Sequence, residues 1–171
     1  NRILMRCAFA VFALGLASTT GSAVRYWQLQ GVHTVAGANV TGSFGYDDAT
    51  NEVSAWNLRI ESGNGFLPFT YVPGNTTIWA GQEGVPERFT IYFYAPAGSA
   101  PAERFLKFRP ASKLDGSAAS VALLTLEPVS QGYHSAECGG QFGCRGIAAG
   151  TLVFVPFPPP VALVDAIEFH H

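Results

Sequence analysis

The sequence predicts an all-β fold, an antiparallel two-sheet β-sandwich or jelly roll of about eight to ten strands. Three observations lead there: extended runs with two-residue alternation recur every 8–14 residues or so, turn residues separate them, and nothing after Ala23 keeps a helical period. The clearest runs are Val40–Tyr46 and Val53–Ile60, which flank the turn Asp47-Asp48-Ala49-Thr50-Asn51-Glu52. Val40, Gly42, Phe44 and Tyr46 share one face of the first run, and Trp56, Leu58 and Ile60 one face of the second. Successive strand side chains point to opposite faces, so such alternation marks half-buried strands. Asp, Asn and Thr between them satisfy backbone groups locally and let the chain reverse into a hairpin.

The chain opens with Met5-Arg6 and the apolar run Cys7–Ala17, followed by the small residues Ser18–Ala23. A basic start, a short apolar stretch and an A-x-A-like end describe a secretory signal peptide over residues 1–23, with Met5 as initiator, too short for a membrane span. The domain is expected over residues 24–156. Val24–Val35 reads as a strand bent at Gly31, with His33 in its continuation. Phe66–Val72 is rich in aromatics, but Pro68 removes a ladder donor and pushes the segment to a sheet edge. Thr76–Ala80 is a short strand carrying Trp79, expected in the core with Trp27 and Trp56. Glu87–Tyr94 separates cleanly into Phe89, Ile91 and Phe93 on one side and Arg88, Thr90, Tyr92 and Tyr94 on the other. A small-residue loop, Ala95–Ala102, leads to the strands Phe105–Phe108 and Val121–Leu126, the latter ended by Pro128, with a turn at Asp115–Ala119 between them. Tyr133–Cys138 and Arg145–Val155 form the last pair, and residues 157–171 are a proline-rich tail that starts with the stiff Phe157–Pro160.

Apolar residues make up 48% and charged residues only 13%, which excludes disorder. Cleavage after residue 23 would remove Arg2 and Arg6, leaving 8 basic residues (10 minus 2) against 12 acidic, a net charge of −4. This balance speaks against nucleic acid, and Arg104, Lys107, Arg109 and Lys113 read as the solvated side of a strand. Cys138 and Cys144 remain in the exported part, and in an oxidising compartment they read as a disulfide closing a small loop. A structural zinc would need four ligands, and His134 is the nearest third. Asp47, Asp48, Asn51 and Glu52 are a weak calcium candidate; the EF-hand spacing and glycine are missing, and an ordinary acidic hairpin turn is the favoured reading. No cofactor is expected. Asn39-Val40-Thr41 and Asn75-Thr76-Thr77 match the glycosylation sequon.

For catalysis, G-x-S-x-G is absent, and Glu83, Glu87 and Glu137 fall in or beside loops with no partner fixed by spacing. A non-catalytic role is expected. Arg88, Thr90, Tyr92 and Tyr94 form a possible binding face, because aromatics on a wet sheet face suit sugar rings or another protein.

Trp27-x-Leu29, Gly42-Ser43-Phe44-x-Tyr46-Asp47 running through Thr50-Asn51 to Val53-Ser54-x-Trp56, and Arg145-Gly146-Ile147 before Gly150-Thr151-Leu152 carry a resemblance over Val24–Val155. The chain resembles exported β-rich domains of proteobacterial proteins that bear a C-terminal PEP-CTERM sorting signal. Where that signal has Pro-Glu-Pro, a longer apolar span and arginines, this chain has Phe157-Pro158-Pro159-Pro160, Asp165 and Glu168. The resemblance implies export to the periplasm, cell surface or extracellular matrix, and no assigned enzymatic activity. The expected function is a surface or matrix interaction domain whose partner is a polysaccharide or surface protein. A carbohydrate-binding module and a secreted hydrolase on a jelly-roll scaffold are the alternatives.

Overall fold

A computed structural model describes residues 23–83, 88–95, 104–125, 134–139 and 143–158. The expected leader up to residue 22, Glu87, the loop beyond Ala95, Pro128, Tyr133 and the tail from Pro159 lie outside the described residues. The strands are β1 (Arg25–Thr34), β2 (Val40–Asp47), β3 (Glu52–Ile60), β4 (Phe69–Tyr71), β5 (Thr77–Glu83), β6 (Arg88–Ala95), β7 (Arg104–Phe108), β8 (Ser120–Ala122), β9 (Ala136–Gly139) and β10 (Gly143–Val155).

All neighbours are antiparallel, in the order β4-β3-β2-β1-β10-β9-β7-β6-β5, with β8 added beside β10. The all-β antiparallel class is therefore observed, but in place of two separate sheets there is one sheet curled into a half-barrel. The reason is the length of β10. Its Gly143–Gly146 end pairs with β9, while Ile147–Val155 runs along β1, so one strand carries the ladder from one half into the other. The ends of the curl approach each other, β3 against β5 and β4 against β6.

The core fills the concave side. Phe44 of β2 meets Phe93 of β6 edge-on at 5.9 Å, and Trp56 lies 6.5 Å from the same ring. Ile91, Phe93, Leu106, Phe108, Ile147 and Leu152 have no exposed surface. Each such side chain contributes about 1.5–3 kcal/mol on burial. Phe89, Ile91 and Phe93 thus face the core as their alternation requires. Pro68 sits just before β4, the short strand at one edge, where a missing donor costs least.

The β2–β3 hairpin contains a bulge. Phe44 alone opposes Ala55 and Trp56, and Ala55 takes a left-handed φ of 49°. One extra residue reverses the parity of β3, so Val53 and Trp56 both pack against the core. Gly42 has φ +118°, and a Cβ there would stand 2.0 Å from the Asn57 carbonyl oxygen, so only glycine fits. The bend foreseen at Gly31 is a pair of register shifts between Gln30 and Thr34.

Candidate functional site

Register decides which side chains meet on the outward face of β5, β6 and β7. Trp79 pairs with Tyr92, Tyr92 with Lys107, and Tyr94 with Phe105. Their Cβ atoms point away from the core, which takes Ile78, Ala80, Ile91, Phe93, Leu106 and Phe108 instead. The result is an aromatic cluster around Tyr92. Tyr94 stacks on it at 5.2 Å with ring planes 5° apart, Trp79 tilts against it at 5.7 Å and Phe105 at 5.5 Å. Trp79 is 42% exposed and Tyr94 38%, against 9% for Tyr92.

Trp79, expected in the core, is a surface residue because its position in β5 has outward parity. Gly81 makes room for it: a Cβ there would stand 2.9 Å from the indole six-membered ring. The ring therefore lies over the glycine instead of standing off the sheet. Of the four residues expected to form a binding face, Arg88 and Tyr94 are exposed, whereas Thr90 and Tyr92 are buried beneath their neighbours. Tyr92 acts as the post on which the exposed rings lean.

A polar network borders the rings. Tyr92 Oη donates to Glu83 Oε1 at 2.7 Å, and Arg109 donates to Glu83 Oε2 at 2.9 Å and to Thr90 Oγ1 at 3.0 Å. Arg109 also lies 3.0 Å from His134 Nδ1. Burial opposes ionisation of Glu83, but the Tyr92 hydrogen bond and the charges of Lys107 and Arg109 outweigh it and hold the carboxyl below its usual range. Burial first, and then the Glu83 bond, push the Tyr92 phenol well up. Lys107 Nζ stands 5.8 Å from the Tyr92 ring centroid.

A second polar cluster occupies the inner face. Glu137 is wholly buried, and its Oε1 accepts from Arg104 Nε at 2.5 Å and from Tyr71 Oη at 3.0 Å. Its Oε2 accepts from Arg145 Nε at 2.6 Å. Arg104 Nη2 donates to the Leu67 carbonyl, and Arg145 Nη1 and Nη2 to those of Gly63 and Glu61, so the cluster ties the segment before β4 to the inner wall. Both guanidiniums lie over Phe66, at 5.5 and 4.7 Å from its centroid. Burial and the Glu137 charge raise the Tyr71 phenol far beyond its ordinary range.

Two expectations are corrected here. Arg104 and Arg109 are buried, on opposite faces of the sheet, and are not the solvated side of a strand. Glu137 lies within β9 in an ion pair, and Glu83 ends β5 with Arg109 as its partner. A signal for the inner cluster was present in the sequence. If Cys138 and Cys144 bond across a hairpin, then Glu137 and Arg145, one step further from the loop, must stand opposite each other.

That disulfide is formed, with an S–S distance of 2.00 Å, across the β9–β10 pair. Among the described residues no group of three His, Cys, Asp or Glu side chains is gathered for a metal. Asp47 Oδ1 accepts from the Ala49 and Thr50 amides, Asp48 pairs with Arg25, and Asn51 accepts from Tyr46 Oη. The oxygens considered for calcium thus go to separate partners, and Glu52 is exposed at the start of β3. Asp48 and Asn51 border a cleft of about 250 Å³ floored by Tyr46 and Phe89. No described helix is long and apolar enough to cross a membrane. Compared with protein-family models, curated proteins and solved structures, the chain matches none.

Proposed function

We propose that this chain is an exported, non-catalytic binding domain that recognises polysaccharide through the outward aromatic face of β5, β6 and β7. The half of the sheet formed by β9, β7, β6 and β5 would act as one layer of a sandwich, with its outer side as the ligand face. The observation that carries this reading is Trp79, laid over Gly81 and exposed beside Tyr94. Buried Tyr92 backs both rings. Flat aromatic surfaces held rigid in this way cost little entropy on binding and suit the C–H faces of pyranose rings. An exposed pair of large aromatics on a rigid sheet is also a place where burial is available to a partner.

Two features support the rest of the reading. Glu83 and Glu137 lie on opposite faces of the sheet, and each is held by arginine, so they do not flank a common cleft as a hydrolase pair would. The Cys138–Cys144 bond fits an oxidising compartment outside the cytoplasm. A glycan array probed with the purified chain tests the function. Binding that is lost in Trp79→Ala and Tyr94→Ala, with circular dichroism unchanged, is the expected result. Binding indifferent to both substitutions would place the ligand elsewhere.

A further inference from the structure

We infer that Glu83 is the specificity group of this face, accepting hydrogen bonds from the hydroxyls of the sugar ring stacked on Trp79, and that the ligand is a neutral, hydroxyl-bearing glycan. The inference rests on the aromatic-face function proposed above and narrows its ligand.

Alternation puts Trp79, Gly81 and Glu83 on the same outward face of β5. The indole six-membered ring lies over Gly81, so it reaches along the strand toward Glu83, which is about 7 Å further on. Tyr94 lies the other way, since β5 and β6 pair Thr77 with Tyr94, Trp79 with Tyr92 and Glu83 with Arg88. Glu83 therefore stands at one end of the platform, beyond Trp79, where it meets the edge of a ring on the indole without covering Tyr94. Its side chain is 38% exposed. The groups that hold its carboxylate are buried: the Tyr92 hydroxyl donates to Oε1 at 2.7 Å and Arg109 to Oε2 at 2.9 Å. A carboxylate has about four acceptor positions, so one such bond on each oxygen leaves acceptor capacity for a ligand. Burial opposes its ionisation, but the Tyr92 bond and the charges of Lys107 and Arg109 outweigh that and keep it ionised at neutral pH. An ionised carboxylate only accepts, and hydroxyls are the donors that a pyranose presents around its edge. The neighbouring cations serve this carboxylate: Arg109 is paired with it, Arg88 stands opposite it in register and Lys107 acts on its ionisation. A uronic or sulfated ring on Trp79 would bring a second anion beside Glu83, with the repulsion that like charges impose, whereas a neutral ring brings the donors it lacks.

The test uses the full chain in affinity electrophoresis and calorimetry with neutral β-glucan and β-mannan, the O-methylated form of each, and polygalacturonate. Methylation removes the hydroxyl donors and keeps the ring faces, and it is expected to weaken binding about tenfold or more, as the loss of hydrogen bonds to a charged group does. Glu83→Gln is expected to weaken binding of the unmethylated polymer about tenfold with circular dichroism unchanged, and to shrink its advantage over the methylated one. Trp79→Ala is expected to remove binding. Equal binding of methylated and unmethylated chains by the unaltered protein would overturn the role of Glu83, whether or not the Glu83→Gln variant folds. Binding untouched by Glu83→Gln would do the same, and polygalacturonate bound as tightly as the neutral polymers would overturn the neutral assignment. These three results leave the aromatic face standing. Binding that survives both Trp79→Ala and Tyr94→Ala would overturn the aromatic function, and this inference with it. An absence of binding to all the polymers would overturn both.

Discussion

Replacing Glu137 by glutamine tests the inner cluster with the least change of shape. The side chain has no exposed surface, and the Arg104 and Arg145 side chains facing it are 4% and 1% exposed. Glutamine removes the one negative charge between two buried guanidiniums. Its amide nitrogen also turns a donor toward a donor, either Arg104 with Tyr71 or Arg145. Breaking a buried ion pair by removing one partner costs about 3–5 kcal/mol, because the surviving charge is left without compensation. Against a total stability of roughly 5–15 kcal/mol that is a large share. At about 2–4 °C per kcal/mol it lowers Tm by roughly 6–20 °C. Removing all three charges, as Arg104→Met with Glu137→Leu and Arg145→Met, also removes the cost of keeping ions dry. The triple variant is therefore expected to lose much less than the sum of the single changes, even though the bonds to Glu61, Gly63 and Leu67 go with it. Urea unfolding followed by tryptophan fluorescence, under non-reducing conditions, measures both. A Glu137→Gln cost below about 1 kcal/mol, or a triple variant at least as costly as the summed singles, would mean the cluster is not the dry, coupled unit described.

Four further outcomes are expected. Gly42→Ala forces a Cβ against the Asn57 carbonyl at a positive φ and should cost roughly 3 kcal/mol or more in the same assay; a cost below 1 kcal/mol or so would contradict the hairpin geometry. Ala55→Gly, usually unfavourable in a strand, should here be neutral or stabilise by about 1 kcal/mol, because it relieves a left-handed alanine at an exposed bulge. Reducing the Cys138–Cys144 bond, which closes a loop with sequence separation 6, should lower stability by about 2 kcal/mol without unfolding the domain; its collapse on reduction would show the core to be weaker than the packing implies. Tyr46 is raised to about 12 by burial and by Asp48 and Asp47, and Tyr71 and Tyr92 are raised further. Their phenols are raised in the folded state, so stability should be level below the unfolded value near 10 and fall as pH rises above it, by up to about 1.4 kcal/mol per pH unit for each. Phenolate absorbance tracked beside alkaline unfolding checks this, and ionisation of all six tyrosines near pH 10 in the folded protein would refute it.

The sequence by itself determined the class, the central hairpin, the edge position of the Pro68 segment and the cysteine pair. These follow from two-residue alternation, turn chemistry and short spacing, which act within a few residues of chain. Alternation divides a strand into two faces, but it does not say which face is dry. That is why Trp79 reads as core, and why Arg104 and Glu137 read as solvated or loop residues. Only the curl of the sheet, carried through β10 from β9 to β1, decided these cases. It turned Leu106, Phe108 and with them Arg104 inward, where Glu137 and Arg145 neutralise the burial, and it turned Trp79, Tyr92 and Tyr94 outward together. Apart from Glu137 with Arg145, which the cysteine hairpin sets opposite each other, the contacts that assemble each cluster join strands through register, as Trp79 with Tyr92 and Tyr71 with Glu137 do, and no local rule of chain chemistry fixes that.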